Sequence, residues 1–153
     1  MLEPITISAQ IEIAASPKIV RAAFLDFSRV KKTTGWEIEV KGPAKKETEL
    51  KKGDRVNVNI NGFKFSPIVR ENSPEMFMWD GTIPGLGFIL SGKHHFYFLP
   101  SEVNTGGTTL IQKEYFTGLV TMVWPGKDTQ KWSIEQWNEF NEAFKKDIEQ
   151  SSS

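Results

Sequence analysis

A chain of 153 residues has room for one domain with a core and an internal cavity, and not for a second domain. Nineteen basic and nineteen acidic residues cancel, which points away from nucleic acid or an anionic membrane surface and toward a neutral or apolar partner. The absence of cysteine excludes a disulfide framework, a thiol nucleophile and a Cys-based zinc or iron–sulfur site. No basic-then-apolar leader opens the sequence and no apolar run approaches the ~20 residues that span a bilayer, so the expectation is a cytoplasmic protein without stable membrane insertion.

Ile5, Ile7, Ala9, Ile11 and Ile13 alternate with mostly polar neighbours and predict a first strand with one buried face. Ser16-Pro17 is a helix start, a capping hydroxyl followed by proline at the first helical position, and Val20, Ala23, Phe24 and Phe27 continue it as a short amphipathic helix. Trp36, Ile38 and Val40 alternate before the Gly42-Pro43 break and a solvated charged loop from Lys45 to Lys52. Val56, Val58 and Ile60 lead into Asn61-Gly62, two residues tolerant of positive φ, which predicts a type I′ hairpin with Ile60 opposite Phe63 and Val58 opposite Phe65.

Ser73-Pro74 marks the next turn. A strand from about Met76 to Ile83 follows, and simple pairing would place Phe77 and Trp79 on the face that holds Phe65 and Val69. Pro84-Gly85-Leu86-Gly87 reads as a lid over a cavity mouth or as an ordinary turn; a nucleotide loop is rejected because a strand, not a helix, comes next. The strands carrying His94 and Glu114 are joined by a turn from Ser101 to Gly107. From about Asp128 to Gln150 there is no Gly or Pro, and Ile134, Trp137, Phe140, Phe144 and Ile148 recur at spacings of three and four, the stripe of one long helix. One domain over residues 1–150 and a frayed tail at 151–153 are expected.

The order is strand, short helical region, about six hairpin-linked strands and a long terminal helix. An α+β sheet of about seven antiparallel strands with one long helix to cover its apolar face would curl around that helix and leave a cavity. This order, with Ile13-Ala14-Ala15-Ser16-Pro17, Trp36, Trp79-x-Gly81-x-Ile83-Pro84-Gly85, Gly92-x-His94-x-Phe96, Gln112-x-Glu114-x-Phe116-x-Gly118 and Phe140-Asn141-x-Ala143-Phe144-Lys145 with Glu149, resembles the helix-grip fold of the START-like (SRPBCC) superfamily and its polyketide cyclase/dehydrase-like subgroup. The resemblance covers nearly the whole chain. It implies a seven-stranded curved sheet gripping the terminal helix, and a role in binding a hydrophobic small molecule, transferring lipid, binding a chaperone, or catalysing cyclisation or dehydration; fold does not choose among these.

The candidate site follows from strand parity. Lys93, His95 and Tyr97 on one strand and Lys113 and Thr117 on the other form the more polar set, so His95 faces outward while His94 and Glu114 face inward among phenylalanines. A connecting loop centred near residue 104 places His94 across from Glu114 and Phe96 across from Gln112, with opposed Cβ atoms about 4.5–5.5 Å apart. Such a pair either transfers protons as the catalytic acid and base or satisfies itself as a structural pair in a cavity wall. Phe65, Trp79, Phe96, Phe116, Trp137, Phe140 and Phe144 form the expected ligand-binding lining, or else ordinary core; Gln112 would orient a ligand carbonyl or support Glu114. Two histidines on opposite faces make a metal site unexpected, and no cofactor is expected.

Two functions from different classes remain open. One is an enzyme that folds a polyketide-like or aromatic-forming substrate in the cavity for cyclisation, dehydration or isomerisation by His94 and Glu114. The other is a non-catalytic carrier for a lipid, sterol or metabolite, with the same pair fixing the ligand's polar end.

Overall fold

The structure, a computed structural model, describes residues 4–42, 46–82, 85, 87 and 91–151. Strand β1 (Ile5–Ile13) is followed by helices α1 (Pro17–Phe24) and α2 (Phe27–Thr34), then β2 (Glu37–Val40), β3 (Val56–Ile60), β4 (Phe63–Phe65), β5 (Ile68–Asn72), β6 (Met76–Asp80), β7 (Ser91–Pro100), β8 (Thr108–Thr117) and the long helix α3 (Lys127–Ser151). Ser16 accepts the Ile19 N–H at 3.3 Å, and Pro17 opens α1. The expected single helix divides at Asp26, whose carboxylate caps α2 by accepting the Arg29 N–H at 3.2 Å, so Phe27 belongs to the second helix.

All strand pairs are antiparallel. Five strands run in the order β1-β8-β7-β6-β5 and three in the order β2-β3-β4. Among the described residues there are therefore eight strands in two sheets, a correction to the expected single sheet of seven. Ser66-Pro67 is the reason: proline has no N–H for the ladder, and it splits what reads as one hairpin arm into β4 and β5. The two sheets stay tied at the break. Arg55 bridges Ile68, the Val69 N–H donates to Asp54 O at 2.7 Å, and the Gly53 N–H donates to Val69 O at 2.8 Å.

The Asn61-Gly62 hairpin forms in the expected register, Ile60 to Phe63 and Val58 to Phe65, with φ of 51° and 90° at the two turn residues. Val69 pairs with Trp79, and both are buried on the shared face that simple pairing predicts. A bulge at Arg70 then shifts the register, and Phe77 pairs with Asn72. The strand beginning at Met76 runs to Asp80; its expected end at Ile83 lies outside the described residues, as do Pro84 and Leu86 of the suggested lid and the last two residues of the tail.

Helix α3 lies on the inner face of the curled sheet, with Trp137, Phe140, Phe144 and Ile148 buried. Ile134, expected on this stripe, is exposed, because the row of residues facing the sheet passes through Ser133 and Trp137 instead. Polar tethers set the helix's position. Lys145 Nζ donates to Glu12 O at 2.7 Å, Glu149 accepts the Ala14 N–H at 2.8 Å, and Arg29 pairs with Asp147 at 2.6 Å. Ser151 closes the last turn of α3, its hydroxyl donating to Ile148 O at 3.0 Å.

The space between sheet and helix is not hollow throughout. Phe24 of α1 drives into one half and packs on Phe77, Phe96 and Phe98, with ring centroids 5.4, 4.5 and 5.7 Å away. Trp36 and Phe144 flank Phe140 at 4.5 and 5.3 Å. This half is filled by aromatic rings. The other half, under the N-terminal turns of α3, is open.

Candidate functional site

The open half is a cavity of about 520 Å³. Its sheet side is built from Phe65, Trp79, Gly92, His94, Glu114 and Phe116. The helix contributes two adjacent i, i+4 rows, Asp128-Trp132-Gln136 and Thr129-Ser133-Trp137, which face the sheet from the first three turns of α3. Ile60, Phe63 and Trp124 complete the rim with Gly81. Phe63 and Trp132 are 56 % and 41 % exposed, so the mouth is edged by apolar rings.

The ladder between β7 and β8 sets His94 against Glu114 and Phe96 against Gln112, as the parity and loop length require. His94 Nδ1 lies 3.2 Å from Glu114 Oε1. The ring is sealed into the wall at 3 % exposure, while the Glu114 side chain retains 18 % and opens to the cavity. His94 also marks the border between the filled and open halves. It stacks on Phe96 at 4.3 Å with an interplanar angle of 10°, and meets Trp137 at 4.7 Å and Trp79 at 5.4 Å.

Behind the pair runs a buried amide chain. His94 Nε2 lies 2.9 Å from Gln112 Oε1, and Gln112 Nε2 donates to Asn141 Oδ1 at 2.8 Å. Gln112 and Asn141 are 0 % and 1 % exposed, and Asn141 Nδ2 is buried without a partner. The Gln112 amide thus meets one ring nitrogen and the Glu114 carboxyl group the other, so the ring is held in the wall from both sides.

Gly92 shapes the site by what it lacks. A Cβ there would meet Glu114 Oε2 at 3.3 Å and the Phe116 ring at 3.4 Å, tighter than ordinary contact. Oε2 takes no hydrogen bond among the described residues, and it borders this bare stretch of backbone. Gly81 lies beside it across the ladder, its N–H donating to Gly92 O at 2.8 Å.

Of the residues singled out by sequence, His94, Glu114, Phe65, Trp79, Phe116 and Trp137 meet at the cavity. Phe96, Phe140 and Phe144 do not; they belong to the filled half, where Phe24 and Trp36 occupy the space a ligand would need. Gln112 does not reach the cavity either and supports His94 rather than Glu114. Sequence reasoning missed Phe63, Trp124, Asp128, Trp132 and Gln136, and the role of Asn141. Spacing held a usable signal for three of them, since Asp128, Trp132 and Gln136 follow one another by four.

His95 points to the opposite face and is half-buried there, 5.6 Å from the Tyr97 ring and 5.3 Å from Tyr115. That burial lowers its pKa, against the raising effect of the Lys93 and Lys113 backbone. Among the described residues there is no group of three or more His, Asp or Glu able to hold a metal ion, and no helix long and apolar enough to cross a membrane.

No protein-family model and no curated protein matches the chain. Solved structures do. The chain adopts the START-like fold, with a long C-terminal helix over antiparallel sheet. A START superfamily protein from Mycobacterium smegmatis superposes with a TM-score of 0.64 at 18% identity, over 95% of this chain and 97% of that one. A Thermus thermophilus protein gives 0.67 at 15% identity, covering 97% and 100% of the two chains. Norcoclaurine synthase from Thalictrum, solved as a point mutant with a transition-state analogue, gives 0.65 at 14% identity over the whole of both chains.

Proposed function

We propose that the chain binds an aromatic or otherwise hydrophobic small molecule, polyketide-like in character, in the 520 Å³ cavity, and that His94 and Glu114 move a proton on it during cyclisation, dehydration or isomerisation. The observation that carries this reading is the Glu114 carboxyl group, part-exposed in an aromatic-walled cavity and backed by a buried histidine whose Nδ1 lies 3.2 Å from its Oε1. Glu114 is the group that touches substrate. It takes a proton from the substrate at Oε2, which raises the charge of the pair by one, and returns that proton at another atom, while His94 at Oε1 holds the carboxyl group in place. The cavity's volume lies within the ~300–1,000 Å³ range usual for small-molecule sites. The START-like neighbours support a ligand-binding fold, and norcoclaurine synthase among them is an enzyme by name.

A carrier without turnover is the second reading. It is favoured by the engagement of both ring nitrogens of His94 inside the wall, which suits a fixed anchor. Native mass spectrometry of freshly purified protein identifies a co-purified molecule. Incubating the protein with that molecule and with aromatic polyketides then separates the readings: conversion that disappears in Glu114→Gln while binding persists supports catalysis, and tight binding with the ligand recovered unchanged supports the carrier. Undiminished turnover in Glu114→Gln removes the proposed role of the pair.

A further inference from the structure

Among the described residues the cavity wall holds two carboxylates, Glu114 within it and Asp128 exposed at its mouth, with His94 as its one basic side chain and no lysine or arginine. This is a segregation, since basic and acidic residues are equal in number over the chain. Both nitrogens of His94 are engaged, Nδ1 with Glu114 and Nε2 with Gln112. Its ring is enclosed by the rings of Phe96, Trp137 and Trp79, and the Glu114 carboxyl group borders the cavity. The N-terminus of α3 places partial positive charge near the mouth, and Asp128 in the first turn offsets it.

Four tryptophans, Trp79, Trp124, Trp132 and Trp137, line the same space with Phe65 and Phe116. Indole faces attract cations through their quadrupole, and aromatic cages of this composition recognise substituted ammonium groups. The lining is aromatic rather than aliphatic, with Ile60 its one aliphatic member among the described residues. The absence of a side chain at Gly92 leaves Oε2 approachable beside the Phe116 ring, where a bulkier residue would cover it.

Resting on the reading that the cavity binds a small molecule, we infer that this molecule is a cation, an aryl or alkyl ammonium whose charged end meets Glu114 Oε2 and the surrounding ring faces. Its apolar part lies toward Phe65 and the rim. Asp128 at the start of α3 adds attraction for the incoming charge.

Three near-isosteric compounds test the inference on the full chain: benzyltrimethylammonium, its neutral carbon isostere neopentylbenzene, and benzylsulfonate. Affinities are read from tryptophan fluorescence and confirmed by calorimetry. The cation is expected to bind at least about tenfold more tightly than the neutral compound, and the sulfonate least of all. Glu114→Gln and Asp128→Asn should each weaken the cation several-fold and leave the neutral compound unchanged. Equal affinity for the cation and the neutral isostere overturns the inference and leaves cavity binding standing. Tightest binding of the sulfonate overturns it by sign, and failure of all three to bind overturns both the inference and the reading beneath it.

Discussion

His94 and Glu114 meet across the β7–β8 ladder with Nδ1 and Oε1 3.2 Å apart, one sealed in the wall and the other open to the cavity. This division of exposure leaves the carboxyl group reachable from the cavity and the ring enclosed behind it. Gln112 and Asn141 extend the pair inward and hold the ring by its far nitrogen.

Cutting that extension should cost stability. Gln112→Leu leaves His94 Nε2 and Asn141 Oδ1 buried without partners, each worth about 1–3 kcal/mol, so a loss of roughly 2–5 kcal/mol is expected in urea unfolding. Adding Asn141→Leu removes one orphaned group together with the already unpaired Nδ2. The double variant should therefore be less destabilised than the sum of the two singles.

Gly92→Ala should act on the ligand rather than on the fold. The added methyl lies within 3.4 Å of Glu114 Oε2 and the Phe116 ring, and φ at this position does not demand glycine. Urea midpoints are expected to move by less than about 1 kcal/mol, while affinity for a cavity ligand falls about tenfold as the carboxylate is crowded. A variant that binds as tightly as the parent would show that ligand does not approach along this wall.

Acid should weaken the fold in two stages. Burial between Tyr97 and Tyr115 holds His95 below its ordinary 6.5, so the unfolded chain takes up this proton more readily, and the stability His95 contributes above pH 6.5 fades below that value and is lost as pH falls through its lower folded-state pKa. The carboxyl of Glu12 is held below its ordinary 4.5 by the hydroxyls of Ser101 and Thr109, and then by Lys145, so its contribution is present above pH 4.5 and fades below it. Thermal midpoints measured from pH 8 to 3 should show the first stage vanish in His95→Phe and the second shrink in Glu12→Gln.

The indoles at the cavity supply a fourth expectation. Because Trp124 and Trp132 stand at the rim and Trp79 and Trp137 are buried deeper, ligand entry should shift the emission of the wild type to shorter wavelength. Trp132→Phe should remove much of that shift, while its thermal midpoint, given the residue's 41 % exposure, stays within a few degrees of the parent.

Strand periodicity made much of this legible. Alternation placed His94 and Glu114 on the inner face, and a loop of known length set their register to the residue. Asn61-Gly62 determined its hairpin because its dihedral demand is local. What escaped was set by contacts distant in sequence. Nothing near Phe96 says that Phe24 from α1 will fill the space above it, and nothing near Gln112 says that Asn141 will take its amide. The break at Pro67 was not read, because a proline at the end of a hairpin arm suits an edge residue as well as a break, and the division into two sheets shows only in the strand pairing. The stripe on α3 was traced through Ile134 on hydropathy alone, whereas the cavity recruits the more polar neighbours Ser133 and Gln136.

The amide contact from Gln112 to Asn141 ties the helix to the His94–Glu114 pair. Asn141 sits one turn beyond Trp137 on α3, and Gln112 sits beside Glu114 on β8 with one residue between. Any lifting of α3 that widens the cavity must pull on the chain that holds the His94 ring. The size of the chamber and the seating of the histidine in its wall therefore depend on the same buried amides.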